Sequence, residues 1–256
     1  MIKGYIFDYG GTLDTCGCHW GRKIWHAYER CGVPVSETDF RDAYVFAERK
    51  LGKERIILPD FTFHRTLDVK LEIEMQWLVD NDRWDASAEE VEAKHNAVLE
   101  LLYDEVVKTQ EHSREVLEKI AAQGCPMVLV SNFYGNAGVV LREFHLDHLF
   151  LDIVESAAVG IRKPDPQIFA LGVEAICHYQ AKGIHSILSP EGGVGGGHAH
   201  DIMVVGDSID KDIIPAKSLG CQTAWFKGEG WTDVPVDETI PDVIITDLSD
   251  LLELIK

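Results

Sequence analysis

Reactive side chains stand directly after apolar runs at several points of the chain. The first is Asp8, which follows the apolar run GYIF and precedes two glycines in the stretch GYIFDYGGTLD. A carboxylate displayed at the end of a strand, facing a glycine turn, has the placement of a nucleophile. The later stretches of this kind contain Ser131, Asn132, Lys163, Asp207 and Asp212.

Each of these later stretches has an ordinary structural explanation when it is taken singly. A serine–asparagine pair after a strand is a common turn, and a lysine before proline is often solvated. Carboxylates at the start of a helix can act as caps. The elements that carry these residues, and their order along the chain, therefore decide whether they form a site.

The apolar runs are continuous rather than alternating, and most of them precede a helical pattern. Such runs predict a parallel β-sheet that is buried on both faces by helices. The predicted strands are GYIFDY, PMVLVSN, LFLDIVES, DIMVVGDS, QTAWF and DVIITD. The reactive residues fall at the carboxyl ends of these strands, which is where open α/β sheets bind ligands.

Residues 15–108 have a different character, because they contain almost no strand-like runs. The pattern predicts several helices there, with N-terminal caps at Ser36 and Ser87. A further helix, SREVLEKIAAQG, is predicted to begin at Ser113, just before the second strand.

This helical block interrupts the α/β pattern directly after the first glycine turn. We therefore expect a helical cap of residues 15–108 over an α/β core of residues 1–14 and 109–256. The glycine-rich segment 186–201 lacks the lysine of a phosphate-binding loop and is predicted as a flexible surface loop within the core.

The composition indicates a folded protein and excludes several partners. The 256 residues are 46% hydrophobic, and 43 acidic against 24 basic residues give a formal charge of −19, which disfavours nucleic acid and anionic membranes. No apolar run approaches the roughly 18 residues of a membrane helix, and the N-terminus lacks a signal-peptide pattern. The scattered cysteines fit a reducing compartment. We expect a cytoplasmic monomer or homodimer.

Taken together and in this order, the stretches FDYGGTL, LVSN, GIRKPDPQIF and VVGDSIDKD resemble the motifs of the haloacid dehalogenase (HAD) superfamily of hydrolases. The helical block is similar to the cap that follows the first motif in the helical-cap (C1-type) branch. The resemblance implies a Rossmann-like α/β core with an inserted helical cap domain. It also implies Mg²⁺-dependent transfer or hydrolysis of the phosphoryl group of a small phosphorylated metabolite.

The resemblance further implies a role for individual residues. Asp8 is expected to attack phosphorus and form an aspartyl-phosphate. The expected catalytic residues are Asp8, Ser131 and Lys163. The expected Mg²⁺ ligands are Asp8, the backbone carbonyl of Gly10, Asp207 and Asp212. The expected substrate-binding residues are Gly11, Thr12 and Asn132.

Gly10 departs from the family pattern, because phosphatases of this superfamily have an aspartate there that protonates the leaving oxygen and then activates water. Such acid–base catalysis contributes about 10²–10⁴-fold, so without it alkyl phosphates would react poorly and acyl or aryl phosphates would still react. Another group could replace the lost acid. The candidates are Asp14, His19 and Tyr9, of which Tyr9 is expected to face away because neighbours in a strand alternate sides.

Other functions stay open on the sequence. A 2-haloacid-dehalogenase-type hydrolase needs no proton for its leaving halide, but such enzymes have a tyrosine in place of Gly10 and need no metal, so the intact Asp207 and Asp212 speak against it. A protein that has lost catalysis would retain only phosphate-ligand binding. Phosphonate cleavage would require a cap lysine that forms an imine, for which Lys23 and Lys53 are candidates.

Overall fold

The structure, a computed structural model, describes residues 2–185, 199–232 and 235–254, and six parallel strands form one sheet in that part of the chain. The strands are β1 (Gly4–Phe7), β2 (Met127–Ser131), β3 (Asp152–Glu155), β4 (Ile202–Gly206), β5 (Gln222–Phe226) and β6 (Val243–Ile245). Their order across the sheet is β3-β2-β1-β4-β5-β6, and every neighbouring pair is parallel. The predicted strands and the α/β fold class are therefore confirmed.

Helices cover the sheet and extend beyond it between the first strands. They are α1 (Trp20–Cys31), α2 (Glu37–Lys53), α3 (Phe63–Asp80), α4 (Ala88–Ala122), α5 (Ala137–Glu143), α6 (Ser156–Val159), α7 (Gln167–His185) and α8 (Ile214–Ser218). A π-helical turn at Ile209–Ile213 leads into α8, and 3₁₀ turns lie at Asp147–Leu149, Ala199–Asp201 and Leu248–Glu253.

The sheet is buried on both faces by alternate side chains of the same strands. Tyr5 and Phe7 of β1 belong to a core cluster that includes Leu117 of α4, whereas Ile6 belongs to the opposite cluster together with Phe169 of α7. Every residue of β1 is buried. Burial of both faces explains why the strands are continuous apolar runs rather than alternating ones.

The first four helices pack together as the helical cap over the carboxyl end of β1. Helix α2 packs against α3, and both α1 and α3 pack against α4. The predicted N-caps are confirmed, since the side chain of Ser36 accepts a hydrogen bond from the N–H of Asp39 and that of Ser87 from the N–H of Glu90. Capping satisfies backbone donors that the first turn of a helix leaves free.

The prediction of a separate helix beginning at Ser113 is wrong, because α4 is one continuous helix of 35 residues. Ser113 lies inside it, and its Oγ donates to the backbone carbonyl of Leu13 at 2.8 Å instead of capping a helix. The helix crosses residues 108 and 109, where the predicted cap and core meet. The division of the chain into these domains stays a prediction.

The described residues include no helix that is long and apolar enough to cross a membrane. Within the same part of the chain, no disulfide joins any of the cysteines. Most of the segment 186–201, predicted as a flexible loop, lies outside the described residues, and only its end at Ala199–Asp201 is described, as a 3₁₀ turn.

Candidate active site

Asp8 directly follows the last residue of β1, at the carboxyl edge of the sheet, and its side chain is bound by two neighbours. Nζ of Lys163 lies 2.6 Å from Oδ1 of Asp8 and 2.7 Å from Oδ1 of Asp212. The Thr12 hydroxyl donates to Oδ2 of Asp8 at 3.4 Å. The predicted nucleophile and the predicted lysine therefore meet, although 155 positions separate them in the sequence.

Three carboxylates converge at this point, since Asp8, Asp207 and Asp212 each offer an oxygen within 4.8 Å of the others. Lys163 supplies one positive charge against them, and the described residues give the Asp207 carboxylate neither a hydrogen bond nor an ion pair. Burial and the charges of Asp212 and Asp8 raise the pKa of Asp207 well above its ordinary value. Excess negative charge on hard oxygen ligands fits a divalent cation such as Mg²⁺.

The pKa values of Asp8 and Lys163 are shifted by the same burial and crowding of charges. Burial raises the pKa of Asp8 to about 6, although the Lys163 ammonium lowers it. Burial lowers the pKa of Lys163, but the carboxylates of Asp212 and Asp8 outweigh burial, so that the net shift is upward. Lys163 is therefore a permanent cation of the site at neutral pH.

The glycine turn after Asp8 is shaped by its approach to Asp207. Gly11 has a φ of +98°, and a Cβ atom at this position would lie 2.4 Å from Cγ of Asp207. Only glycine satisfies both the backbone conformation and this close contact. The turn therefore brings the backbone of residues 10 and 11 against the acidic cluster.

Lys163 is fixed in place by Asn132, which follows β2. The Asn132 side chain accepts a hydrogen bond from the N–H of Lys163 at 2.9 Å and donates to the carbonyl of Lys163 at 3.1 Å. These two bonds orient the loop that carries the ammonium group. The neighbouring Ser131 ends β2, is 2% exposed and lines the cavity described next.

A cavity of about 180 Å³ lies between the carboxyl edge of the sheet and the cap. Its floor is formed by core residues, among them Asp8, Ser131, Asn132, Lys163, Asp207 and Asp212. Its roof is formed by cap residues, among them Trp20, Tyr44, Glu48, Phe63, Thr66 and Lys70. The volume is below the roughly 300–1,000 Å³ of sites for drug-sized molecules, so the cavity suits a small ligand.

The family described as haloacid dehalogenase-like hydrolase matches residues 2–220 of the chain. The chain belongs to this family. The matched range spans the positions at which the HAD resemblance implied catalytic and metal-binding residues, and the parallel sheet with its helical cap agrees with the family.

Individual relatives match a smaller part of the chain than the family does. A glyceraldehyde 3-phosphate phosphatase of Pyrococcus furiosus is 29% identical over 118 residues, which cover 46% of this chain and 41% of the relative. A phosphoglycolate phosphatase of Mannheimia succiniciproducens is 29% identical over 143 residues, which cover 56% of this chain and 55% of the relative. The chain thus spans about half the length of these relatives, 41% and 55%.

A similar solved structure supports the fold. The crystal structure of a predicted phosphoglycolate phosphatase from Haemophilus somnus superposes with a TM-score of 0.52 at 21% identity. It covers 100% of this chain and 98% of that one. At this level of identity the likeness concerns the HAD fold, including the cap, and not the activity.

A cap side chain covers Gly10, the position at which the HAD resemblance implies an aspartate in phosphatases. A Cβ atom on Gly10 would lie 3.7 Å from both Cδ1 and Nε1 of Trp20, which is ordinary van der Waals contact. Nε1 of Trp20 donates to Oδ2 of Asp14 at 2.8 Å, and the N–H of Gly11 donates to Oδ1 of Asp14 at 2.7 Å. The indole therefore holds the Asp14 carboxyl next to the glycine turn.

Asp14 is the candidate acid whose environment suits proton transfer. It lines the cavity and is 1% exposed. Burial raises the pKa of Asp14 to about 7, even though the hydrogen bonds from Gly11 and Trp20 lower it. A carboxyl group with this pKa is present in both protonation states at neutral pH, as an acid–base catalyst requires.

The two other candidate acids are placed differently. Nδ1 of His19 accepts the N–H of Gly21 at 3.0 Å as the N-cap of α1, and burial lowers the pKa of His19 to about 4. His19 lines the cavity but is neutral at pH 7. Tyr9 does not line the cavity, and its hydroxyl accepts a hydrogen bond from Nε2 of Gln110 at 2.8 Å. Tyr9 thus lies away from the site, as its position in the strand suggested.

Glu48 and Lys70 lie in the roof of the cavity and are not among the site residues predicted from the sequence. A signal for Lys70 exists in α3, where the buried face contains Thr66, Lys70 and Glu74 at every fourth position among apolar residues. Polar residues on the buried stripe of a helix are uncommon and indicate partners from another element. No comparable pattern marks Glu48, because it is only half-buried and does not belong to the buried face of α2.

The lysines considered for imine formation do not reach the cavity. Lys23 pairs with Glu105 at 2.5 Å, and neither Lys23 nor Lys53 is among the residues that line the cavity. Lys70 does line it, but its ammonium group is bound to Glu48 at 2.6 Å. Imine formation requires a neutral amine, so the arrangement of the cap disfavours phosphonate cleavage by that route.

Proposed function

We propose that this HAD-like hydrolase is a Mg²⁺-dependent phosphatase of small phosphorylated metabolites that works through an aspartyl-phosphate at Asp8. The observation that carries the proposal is the meeting of Asp8, Asp207 and Asp212 around the single ammonium of Lys163, at the floor of the cavity beneath the cap. The names of the relatives, glyceraldehyde 3-phosphate phosphatase and phosphoglycolate phosphatase, agree with a phosphatase.

The residues that would hold Mg²⁺ are Asp8, the backbone carbonyl of Gly10, Asp207 and Asp212. When bound, the ion supplies the positive charge that a carboxylate needs to approach a phosphate dianion. Lys163 and the Ser131 hydroxyl bind the phosphoryl oxygens and stabilise their charge during transfer. Gly11, Thr12 and Asn132 complete the phosphate site, with Asn132 acting also through Lys163.

The reaction then consists of two displacements. A carboxylate oxygen of Asp8 attacks phosphorus, the bond from phosphorus to the leaving oxygen breaks, and Asp14 donates its proton to that oxygen. Asp14, now a carboxylate, removes a proton from water as the water oxygen attacks the phosphorus atom of phosphorylated Asp8. The Asp8–phosphorus bond breaks, inorganic phosphate leaves, and both carboxyl groups return to their initial state.

Asp14 therefore takes the part of the aspartate that Gly10 replaces. Its carboxyl group lies beside the turn at Gly11, it lines the cavity, and the indole of Trp20 fixes its orientation. An enzyme with such a group can hydrolyse alkyl phosphates, whose alcohols are poor leaving groups. Without one it would be limited to acyl and aryl phosphates.

The test is release of phosphate from acetyl phosphate and from glycerol 1-phosphate, with and without Mg²⁺, for the wild type and Asp8→Asn. The expected result is Mg²⁺-dependent turnover of both by the wild type, none by the variant, and phosphorylated Asp8 after acid quench. Release of chloride from chloroacetate without Mg²⁺ would instead establish a dehalogenase. No turnover, together with saturable binding of phosphate, would establish a binding protein.

The setting we propose is the cytoplasm, with a small phosphorylated molecule as the ligand and a monomer or homodimer as the assembly. The acidic character of the chain, with a formal charge of −19, supports a protein that avoids nucleic acid and anionic membranes. Size-exclusion chromatography with light scattering measures the assembly directly.

A further inference from the structure

The roof of the cavity contains an ion pair between buried Lys70 and half-buried Glu48 that phosphoryl transfer itself does not require. Lys70 of α3 is 7% exposed, and its Nζ lies 2.6 Å from Oε1 of Glu48 on α2. The hydroxyl of Tyr134 donates to the same Glu48 oxygen at 3.2 Å. An apolar pair could hold α2 against α3 without the cost of removing two charges from water. The position of the pair in the cavity suggests that it contacts the substrate.

Both partners have hydrogen-bonding capacity left over. Among the described residues, Oε2 of Glu48 has no hydrogen-bond partner. The ammonium of Lys70 has three donors, and Glu48 is the acceptor that the described part of the chain provides for it. The roof therefore offers a hydrogen-bond acceptor and a set of donors side by side.

The roof as a whole is electrically neutral. Burial lowers the pKa of Lys70 and raises that of Glu48, but their mutual attraction outweighs burial in both cases, so that both stay charged. Glu74 lies one turn beyond Lys70 and is fully buried, and burial raises its pKa to about 8. Glu74 is thus protonated at neutral pH and adds no charge.

A charged leaving group would meet a like charge in this roof. A carboxylate would lie beside the open oxygen of Glu48 and would be repelled. An ammonium group would compete with Lys70, whose Nζ already lies 4.5 Å from the ring centroid of Tyr44, where an aromatic face attracts a cation. A hydroxyl group can donate to Glu48 or accept from Lys70 without either conflict.

On the basis of the proposed phosphatase function, we infer that the substrates are phosphomonoesters of short, uncharged polyhydroxyl alcohols. One hydroxyl donates to Oε2 of Glu48, and another accepts from Nζ of Lys70. Glu48 and Lys70 are specificity-determining residues in this arrangement. The cavity of about 180 Å³ limits the length of the alcohol.

Two cationic residues of the core suggest a competing hypothesis, in which the substrate carries a carboxylate. Arg162 and Lys211 are exposed residues that also line the cavity, and no ion pair involves either of them within the described residues. Their exposure suits attraction of the phosphate against the net negative charge of the protein. If they bound a carboxylate tail instead, a phosphorylated acid would be the better substrate.

The experiment compares three phosphomonoesters of similar size with the Mg²⁺-loaded protein. Glycerol 1-phosphate has neutral hydroxyls, 2-phosphoglycolate has a carboxylate, and phosphoethanolamine has an ammonium group. We expect kcat/KM for glycerol 1-phosphate to exceed both others by about tenfold or more. Equal values, or preference for either charged ester, would overturn the inference.

Variants of the ion pair test which residue imposes each exclusion. Glu48→Gln should raise the kcat/KM ratio of 2-phosphoglycolate to glycerol 1-phosphate, and Lys70→Met should raise that of phosphoethanolamine. Glu72→Gln and Lys53→Met make the same chemical changes at exposed positions of α3 and α2, outside the cavity, and should leave the ratios unchanged. Unchanged ratios in Glu48→Gln would refute its role, since this conservative change retains the packing even if Lys70→Met does not fold.

Acetyl phosphate, which has no polyhydroxyl leaving group, distinguishes failure of this inference from failure of the proposed function. Turnover of acetyl phosphate without the expected ranking would refute the inference and leave the phosphatase intact. If no ester is hydrolysed, calorimetric binding of the three esters to Asp8→Asn with Mg²⁺ still measures the preference of the roof. Tightest binding of glycerol 1-phosphate would then support the inference, and any other order would refute it.

Discussion

Asp14→Asn is expected to separate the two chemical roles of the Asp14 carboxyl group. The amide cannot protonate the leaving oxygen, so kcat/KM for glycerol 1-phosphate should fall. For acetyl phosphate the leaving acetate needs no proton, and kcat/KM reports only the steps up to transfer to Asp8, so it should change little. Water attack loses its base with both substrates, so kcat should fall for both, and phosphorylated Asp8 should accumulate with acetyl phosphate, whose transfer step is not slowed.

The magnitude follows from the group and its contacts. Loss of general acid–base catalysis costs about 10²–10⁴-fold, or about 3–5 kcal/mol of barrier, for the alkyl ester. The amide that Asp14→Asn introduces can still accept the N–H of Gly11, but its NH₂ group would then face Nε1–H of Trp20, donor against donor. Loss of that single bond costs about 1 kcal/mol of the free energy of unfolding, a decrease of about 2–4 °C in Tm.

The assay measures steady-state kinetics with both substrates, together with the acid-quenched fraction of phosphorylated protein. Asp104→Asn, an exposed position of α4, is the matched control and should behave as the wild type. Equal losses of kcat/KM for the two substrates would show that Asp14 acts on the turn and not on the leaving group. Unchanged kinetics with glycerol 1-phosphate would refute the acid–base role.

Three further predictions concern the glycine turn and the acidic cluster. Gly10→Asp in the Asp14→Asn background should restore kcat/KM for glycerol 1-phosphate by about tenfold or more, because a Cβ atom at position 10 meets only ordinary contacts. Gly11→Ala should destabilise the protein by about 1–3 kcal/mol and weaken Mg²⁺ binding in calorimetry, since its Cβ would lie 2.4 Å from Cγ of Asp207. In the metal-free protein, Tm should fall as pH rises between about 4 and 7. The raised pKa values of Asp8 and Asp14, about 6 and about 7, mean that the folded state holds protons which the unfolded state has lost. The increase of Tm on adding Mg²⁺ should accordingly be larger near pH 8 than near pH 5, because the ion binds the deprotonated carboxylates.

Each of these predictions has a control or a contradicting result. Gly10→Asn in the same background places a side chain of the same shape as aspartate but without an acid, and it should not restore kcat/KM for glycerol 1-phosphate. Rescue by asparagine would exclude proton transfer from residue 10 as the cause. Normal Mg²⁺ affinity in Gly11→Ala would contradict the close approach of the turn to the cluster. A Tm that rises with pH in the metal-free protein would contradict the buried state of Asp8 and Asp14.

The strands of the core could be predicted from local sequence patterns, because each strand is a continuous apolar run. The run IMVVG before Asp207 and the run MVLVS ending at Ser131 are buried along their whole length, as their continuous apolar composition predicted. The same reasoning failed for α4, where Ser113 looks like a cap. The hydroxyl of Ser113 instead donates a hydrogen bond to the backbone carbonyl of Leu13, 100 positions away, and no local pattern could reveal this contact.

The convergence of the residues that form the floor of the cavity could be predicted from the sequence for a geometric reason. Parallel strands bring their carboxyl ends to one edge, so residues that follow them converge whatever their separation along the chain. Asp8, Lys163 and Asp212 meet in this way. The direction of the pKa shifts of Asp8 and Lys163 could not be predicted, because it depends on how far the cap excludes water from the floor.

The sequence by itself determined the parallel sheet, the position of Asp8 at its carboxyl edge and the absence of an acid at residue 10, since these depend on periodicity and on residue identity. Tertiary structure decided the rest. Burial beneath the cap raises the pKa of Asp14 to about 7, although the hydrogen bond from Trp20 lowers it. The packing of α2 on α3 joins Glu48 to Lys70 and makes the roof neutral. Both effects arise from desolvation and from contacts between separate helices, and a linear pattern contains neither.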